Sequence, residues 1–400
     1  MNVLFLTHRL PYAPNRGDRI RTFYILRTLA KRWNVHVVSL VHDAEEMTHT
    51  PAVSRVAASV TTVRVPWLPN RIAAVRTLLT DSVRPLTLDL LDAPAMPSVL
   101  DALIARTRPD VMLASSSSMA NFALGGSAAA VPLVLDLIDV DSEKWAALAN
   151  SGGWLARVYR REARALRDFE AQAIRHSFAT CVVNERERVA LAHAALGKVH
   201  IVPLGVDVGE LRPPARPAED ASVVFSGVMS YGPNVDAAVW LLDEIWPLVL
   251  QHRPDARLTI VGSNPTRRLR LRAARSPNTV VTGAVEDVRP YLWRAAVAAA
   301  PLRFARGLQT KVIQSVAAGL PTVITPVVAE GLPKAIMPAC RTAATAQEFA
   351  AAIVDVLGLP ADERRSLAGR ADCTTLDSEM LLAPLMGLIE HAAQSRVAPS

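Results

Sequence analysis

The chain has 400 residues, of which 50% are apolar, 20% charged and 5% aromatic, with a formal net charge of +7. That length supports two domains, or three, with sizeable cores. The basic balance admits nucleic acid, a membrane surface or an anionic small molecule as partner. Aromatic residues are too few and too scattered for a single-strand nucleic-acid surface, which interleaves them with cations, so no nucleic-acid partner is expected. Cys181, Cys340 and Cys373 are odd in number and form no ligand cluster, which fits a reduced cytoplasm better than a disulfide framework. Val3-Leu-Phe-Leu is too short for the core of an export signal, and no apolar run approaches a membrane span.

In chain order, strands are predicted at Val3 to Thr7, Val35 to Val41, Val60 to Val65, Val111 to Ala114, Leu133 to Leu137, Ala179 to Val183 and Val199 to Pro203. Helical patterns fall at Arg19 to Arg32, Pro97 to Arg106 and Leu155 to His176. Val37-Val-Ser-Leu-Val is apolar almost without alternation, as strands buried on both faces are. The βαβα order predicts a doubly wound parallel sheet. Trp67 to Leu79 reads as a basic amphipathic helix, with Arg71 and Arg76 beside Ile72, Val75, Leu78 and Leu79. It fits a surface helix with one buried face, the commoner case, or a helix resting on an anionic bilayer.

Leu211 to Ala221 is Pro-rich and polar, as interdomain linkers are. Beyond it the alternation restarts, with strands at Ser222 to Ser226, Arg257 to Val261, Val280 to Thr282, Val297 to Ala300 and Thr322 to Ile324. Helices are predicted at Asn234 to Gln251, Arg267 to Ala274, Asp287 to Arg294, Thr310 to Ala318, Gln347 to Leu357, Ala361 to Ala371 and Ser378 to Gln394. The expected division is a Rossmann-like domain over 1–205, a second Rossmann-like domain over 206–375 and a last helix over 376–400 that crosses back to the first. Two such Rossmann-like halves facing a cleft would bring the C-terminal strand ends of both sheets to one crevice, where such sheets bind ligands.

Ala300-Pro-Leu-Arg-Phe-Ala-Arg-Gly-Leu-Gln-Thr-Lys is the most informative stretch. A strand runs into a loop with Arg303, Arg306 and Gly307, and a helix starting near Leu308 carries Lys311 one turn inside. Cations beside free N–H groups suit a phosphate or diphosphate. An ordinary crossover with solvated arginines has the same spacing. The first β–α loop, Thr7 to Arg21, is similar in kind. Two prolines stiffen it, Gly17 permits close backbone approach, Asp18 can cap the following helix, and Arg16, Arg19 and Arg21 leave that helix start basic. Asp136-Leu-Ile-Asp-Val-Asp closes a strand with carboxylates. Asp139 is placed to contact sugar hydroxyls or to cap a helix. Asp139 and Asp141 are too few for an oxygen-ligand metal site, and no metal is expected. G-x-G-x-x-G, the P-loop and G-x-S-x-G are all missing.

The order of these motifs resembles the retaining glycosyltransferases of the two-Rossmann-domain (GT-B) fold, family 4. The matches are the loop with Gly17, Val202-Pro-Leu-Gly-Val-Asp, Phe225-Ser-Gly227, Val261-Gly, Thr282-Gly-Ala-Val-Glu-Asp-Val and Lys311-Val-Ile-Gln-Ser-Val-Ala-Ala-Gly-Leu-Pro-Thr-Val. Leu10 to Arg21, Asp139 to Trp145, Pro233-Asn-Val-Asp and Ala300 to Lys311 are most similar to the sugar transferases associated with the exosortase/PEP-CTERM system. The resemblance implies hexosyl-type transfer from a nucleotide-diphosphate sugar, with retention, no metal and no cofactor. The acceptor would be a glycan or a lipid-linked glycan of exopolysaccharide synthesis. The enzyme would be cytoplasmic and peripheral at the inner face of the membrane, and the basic segment Trp67 to Leu79, not the resemblance, adds an anionic lipid surface as a further partner.

The resemblance assigns Asp139, Arg306 and Lys311 to catalysis. The donor falls to Gly17, Asp18, Gly227, Asn234, Arg303, Gly307 and the backbone of Leu308, Gln309 and Thr310, with the base near Gly283, Val285 and Glu286. Fixed cations would stabilise the charge growing on the leaving diphosphate. Departures from the family pattern are specific. Arg306 and Gln314 stand where many members carry glutamates, Gln314 facing the donor ribose. Val228 to Asn234 lacks the family's Arg and Lys, and Ile138 replaces a histidine. These departures leave open a catalytically weak or inactive donor-binding protein, and the architecture leaves open a nucleotide-sugar epimerase.

Overall fold

The computed structural model describes residues 1–12, 17–80, 83–150, 152–194, 196–213, 221–305 and 308–396. The chain divides into two compact units, Met1–Pro203 with the residues from Leu381 onward, and Leu204–Met380.

The first unit is built on a parallel sheet of β1 (Asn2–Thr7), β2 (Asn34–Val41), β3 (Ser59–Arg64), β4 (Val111–Ser115), β5 (Leu133–Ile138), β6 (Ala179–Val182) and β7 (Val199–Ile201), in the order β3-β2-β1-β4-β5-β6-β7. Residues Val3 to Thr7 and all of β4 are buried, which explains why these strands show no alternation. Leu4, Leu6, Val38, Leu40, Met112 and Leu135 meet on one face in a continuous core, and each large side chain buried there contributes about 1.5–3 kcal/mol.

The second unit holds β8 (Ser222–Ser226), β9 (Arg257–Val261), β10 (Thr279–Val281), β11 (Val297–Ala300), β12 (Thr322–Ile324) and β13 (Cys340–Thr342), in the order β10-β9-β8-β11-β12-β13. Its core gathers Phe225, Leu258, Ile260, Val297, Val323, Ile324 and Trp246. In both sheets the first strand of the unit lies between its successor and a later strand. The order therefore reverses beside β1 and beside β8, which makes the C-terminal ends of β1/β4 and β8/β11 the topological switch points where open α/β sheets hold ligands.

The predicted strands lie within about two residues of those observed, as element boundaries from periodicity do, but β13 was not predicted. The helix expected over Asn234 to Gln251 runs through Gly232–Trp240, a π-type turn Leu241–Ile245 and Trp246–His252. The helix expected near Leu308 begins at Thr310 and ends at Ala317.

The helix Trp67–Thr80 departs from the buried-face expectation. Asn70 and Ala74 are its buried residues, while Trp67, Leu68, Ile72, Val75 and Leu79 are exposed. The helix is fixed by Asn70, whose Nδ2 donates to the carbonyls of Leu90 and Asp92 at 3.2 and 2.8 Å. Among the described residues no helix is long and apolar enough to cross a membrane.

Candidate functional site

In the second unit the switch point at β8/β11 is lined by glycines that the sheet geometry requires. A Cβ on Gly262, after β9, would lie 1.6 Å from the Gly227 carbonyl oxygen, after β8. A Cβ on Gly227 would come within 2.7 Å of Asn234 Nδ2 and 3.0 Å of Lys311 Nζ. The chain turns there with Gly227 N–H donating to Val261 O at 2.9 Å. The next helix, Gly232–Trp240, then presents Asn234 back toward the strand end. Asn234 is buried, and its Nδ2 donates to Val228 O at 3.0 Å.

Lys311 reaches this point from the helix Thr310–Ala317. Its Nζ donates to Asn234 Oδ1 and lies 5.1 Å from the Phe225 ring centroid, within cation–π range. Burial pushes the ammonium down to about 7. Among the described residues no carboxylate pairs with it. A half-buried lysine held by a neutral amide and a ring is short of negative charge, so an anion seated against Gly227 and Lys311 would supply what the protein does not.

The other predicted donor residues fall around this centre unevenly. Arg303 is not a bare cation: its Nε and Nη2 donate to Asp236 at 2.9 and 2.5 Å, on the same helix as Asn234, and its charge is already met. Arg306 and Gly307 lie outside the described residues. Leu308, Gln309 and Thr310 are half-buried at the helix start, with Gln309 at the N-cap. Gln314 is half-buried three residues beyond Lys311, and its side-chain amide has no hydrogen bond among the described residues. Gly283, in the left-handed region at φ 77°, follows β10 with open space around it, Val285 packs on the core and Glu286 is exposed.

The first unit corrects the expectation of a basic helix start. Arg21 is fully buried, its Nε and Nη2 bonded to Asp136 at 2.7–3.0 Å and its Nη1 to Val202 O at 2.9 Å. Arg19 is buried against Glu46 at 3.0 Å, with its guanidinium over the Tyr12 ring. These cations hold the fold together and present no charge to a ligand. Gly17 and Asp18 belong to the helix Gly17–Ala30; Arg16 lies outside the described residues.

Asp139 follows Ile138, a β-branched residue at φ 65°, a conformation that costs on the order of 1–3 kcal/mol and persists where the surroundings fix it. Asp139 and Asp141 converge on Lys144 Nζ at 3.5 and 3.0 Å. Burial lowers the Lys144 pKa, but Asp141 and Asp139 outweigh it and leave the ammonium raised. Among the described residues no group of three metal-ligating side chains occurs.

Sequence reasoning missed the Asn234–Lys311 contact, the Phe225 ring beneath it and the Asp236 partner of Arg303. The signal was the pairing of Gly227 with Asn234-Val-Asp236 on one strand–helix turn, since a helix start after a strand returns its first side chains to the strand end.

Residues 220–358 match the family model described as Glycosyl transferases group 1. Over its whole length the chain is similar to solved structures. HepE of Anabaena in complex with UDP is 14% identical over 99% of both chains, TM-score 0.64. Sucrose-phosphate synthase of Thermosynechococcus elongatus is 14% identical, over 99% of this chain and 100% of that one, TM-score 0.64. A variant of S. aureus TarM bound to fondaparinux, α-GlcNAc-glycerol and UDP is 8% identical, over 97% and 100%, TM-score 0.68. No curated protein matches the chain. The fold is that of the GT-B glycosyltransferase structures, two parallel-sheet α/β domains, and the matched domain supports a glycosyltransferase.

Proposed function

We propose that the chain transfers a hexosyl group from a nucleotide-diphosphate sugar to a glycan or lipid-linked acceptor, with retention at the anomeric carbon and without metal or cofactor. The observation that carries this is Lys311, drawn into the β8/β11 switch point with no counter-charge among the described residues. The donor diphosphate lies against Gly227, Asn234 and Lys311. As the bond from the anomeric carbon to the diphosphate oxygen breaks, the charge on the leaving group grows, and the Lys311 ammonium stabilises it in place of a metal ion. Gln314 faces the ribose and the loop Gly283 to Glu286 meets the base, while Asp139, in the first unit, is a candidate contact for sugar hydroxyls. The nearest setting is exopolysaccharide assembly of the exosortase/PEP-CTERM kind, at a membrane face where lipid-linked acceptors reside. HepE and TarM, both solved with UDP, support a uridine donor first.

The test is a thermal-shift screen of UDP-, GDP-, ADP- and TDP-sugars, because a ligand of the native state raises apparent stability. It is followed by turnover of the best donor in EDTA. Stabilisation by one nucleotide class and metal-free turnover are expected. No stabilisation by any of them would overturn the donor site, and turnover abolished by EDTA and restored by manganese would overturn the metal-free mechanism. Gln314 in place of a glutamate favours one second reading, a donor-binding protein of low turnover; donor binding without hydrolysis or transfer would select it.

A further inference from the structure

We infer that the helix Trp67–Thr80 docks the protein on an anionic lipid surface. In water its most apolar side chains are exposed: Trp67 62%, Leu68 59%, Ile72 63%, Val75 58% and Leu79 79%. Leu68, Ile72, Val75 and Leu79 recur at i, i+4, i+7 and i+11 and therefore form one stripe. Asn70 and Ala74 define the buried side of the same helix and lie across the helical wheel from that stripe, so the apolar face points away from the protein. Scattered exposed apolar residues need no partner, but a continuous stripe does.

The charge pattern fixes which partner. Arg76 lies on one flank of the stripe and Arg71 on the other, and no Asp or Glu occurs between Trp67 and Thr80. Arg71 sits 4.1 Å over the Trp67 ring, which places a cation and an interfacial aromatic together at the helix start. Apolar stripe, flanking arginines and tryptophan are what a helix lying in the headgroup region of an anionic leaflet requires. With 14 residues the helix is about 21 Å long, too short to span a hydrocarbon core of about 30 Å, so it lies in the plane of the surface. The surface gives a lipid-linked acceptor of the proposed function its location, but it stands on the helix alone and does not depend on the donor site.

The test is co-sedimentation of the full chain with vesicles of phosphatidylcholine alone and of equimolar phosphatidylcholine and phosphatidylglycerol, with donor binding measured on the same preparations. Binding to the anionic vesicles and little to the neutral ones is expected, weakening as salt rises. Arg71→Gln/Arg76→Gln should weaken it on the order of 10-fold, and Ile72→Gln/Leu79→Gln by at least roughly as much. These side chains are exposed, so the variants should fold. Leu271→Gln, a similarly exposed position in the second unit, should change nothing. Equal binding to neutral vesicles, no binding to either, or wild-type binding by the Ile72→Gln/Leu79→Gln variant would overturn the inference. So would a concentration-dependent dimer that this variant abolishes, which would assign the stripe to a second copy. Lipid binding lost with donor binding intact overturns only the docking surface; the reverse overturns only the donor reading.

Discussion

Two cations sit near the switch points of the two sheets, Arg21 after β1 and Lys311 after β11, and the charged ends of both are drawn away from water. Arg21 meets a carboxylate on two of its nitrogens and a backbone carbonyl on the third. Burial lowers its pKa, but Asp136 outweighs that and holds it above the usual value. Lys311 meets one neutral amide and a ring, and burial pushes it down to about 7. A cation completed by its own protein serves the fold, whereas one left incomplete has affinity in reserve for an anion. Withdrawal from water thus carries opposite meanings in the two units, and the partners decide between them.

The largest expected effect breaks the completed pair. Arg21→Met leaves Asp136 buried without compensation and should cost about 3–5 kcal/mol of stability, read from denaturant unfolding. Donor binding by the protein that remains folded should be unaffected. A loss below about 1 kcal/mol would mean that water reaches Asp136, and the contrast between the two cations would fall.

Lys311→Ala should behave in the opposite way. Stability near neutral pH should not fall, since the burial penalty on the ammonium is removed together with a hydrogen bond to a neutral amide. Affinity for the nucleotide sugar should drop by about 1.5–3 kcal/mol, the worth of a charge-assisted contact, read by calorimetry. Unchanged affinity in a folded Lys311→Ala protein would remove the diphosphate from this site.

Why the sequence showed some of this and hid the rest follows from distance along the chain. Strands such as Val37 to Val41 were legible because burial on both faces removes alternation. The Arg/Gly loop after β11 was legible because strand, loop and helix are contiguous. The fate of Arg21 was not, because its partner Asp136 is 115 residues away, and in the local sequence it resembles Arg19 and Arg16. Asn234 and Lys311 are likewise 77 residues apart. The helix Trp67–Thr80 shows a different limit. Periodicity reveals an apolar stripe but not whether protein or something else covers it, and only the burial of Asn70 and Ala74 gave its direction. β13, with the short, half-polar sequence Cys-Arg-Thr, has too few residues for any period to register.

The pH dependence sharpens the contrast further. Folding lowers the Lys311 pKa from its ordinary 10.5 to about 7, so between those values the unfolded chain binds more protons. Stability from this residue should therefore rise with pH across that window, and its penalty is complete below about 7. Donor binding should run the other way. A bound diphosphate holds Lys311 protonated, so affinity for a nucleotide sugar, whose phosphates keep their charge throughout, should fall by up to about tenfold per pH unit above neutrality. The slope should vanish in Lys311→Ala. Affinity flat from pH 7 upward in the parent would mean that the donor does not need this ammonium.

The smallest effect expected, and the one with two informative directions, is that of Gln314→Glu. The glutamine offers one oxygen acceptor to the ribose, and an ionised carboxylate would accept from both hydroxyls. On that ground donor binding should tighten by about 1 kcal/mol. The helix Thr310–Ala317 introduces an opposing term, because residues three apart on a helix are neighbours and the introduced carboxylate would lie within reach of Lys311. It would supply the counter-charge that Lys311 lacks, raise its pKa and compete with the diphosphate for it. Tighter binding with the steep pH dependence retained would place residue 314 on the ribose and mark the chain as a weakened ordinary transferase. Weaker binding with that pH dependence flattened would mean that the new carboxylate had turned Lys311 into a second Arg21, complete within its own protein. In that case glutamine at 314 is what keeps the lysine available.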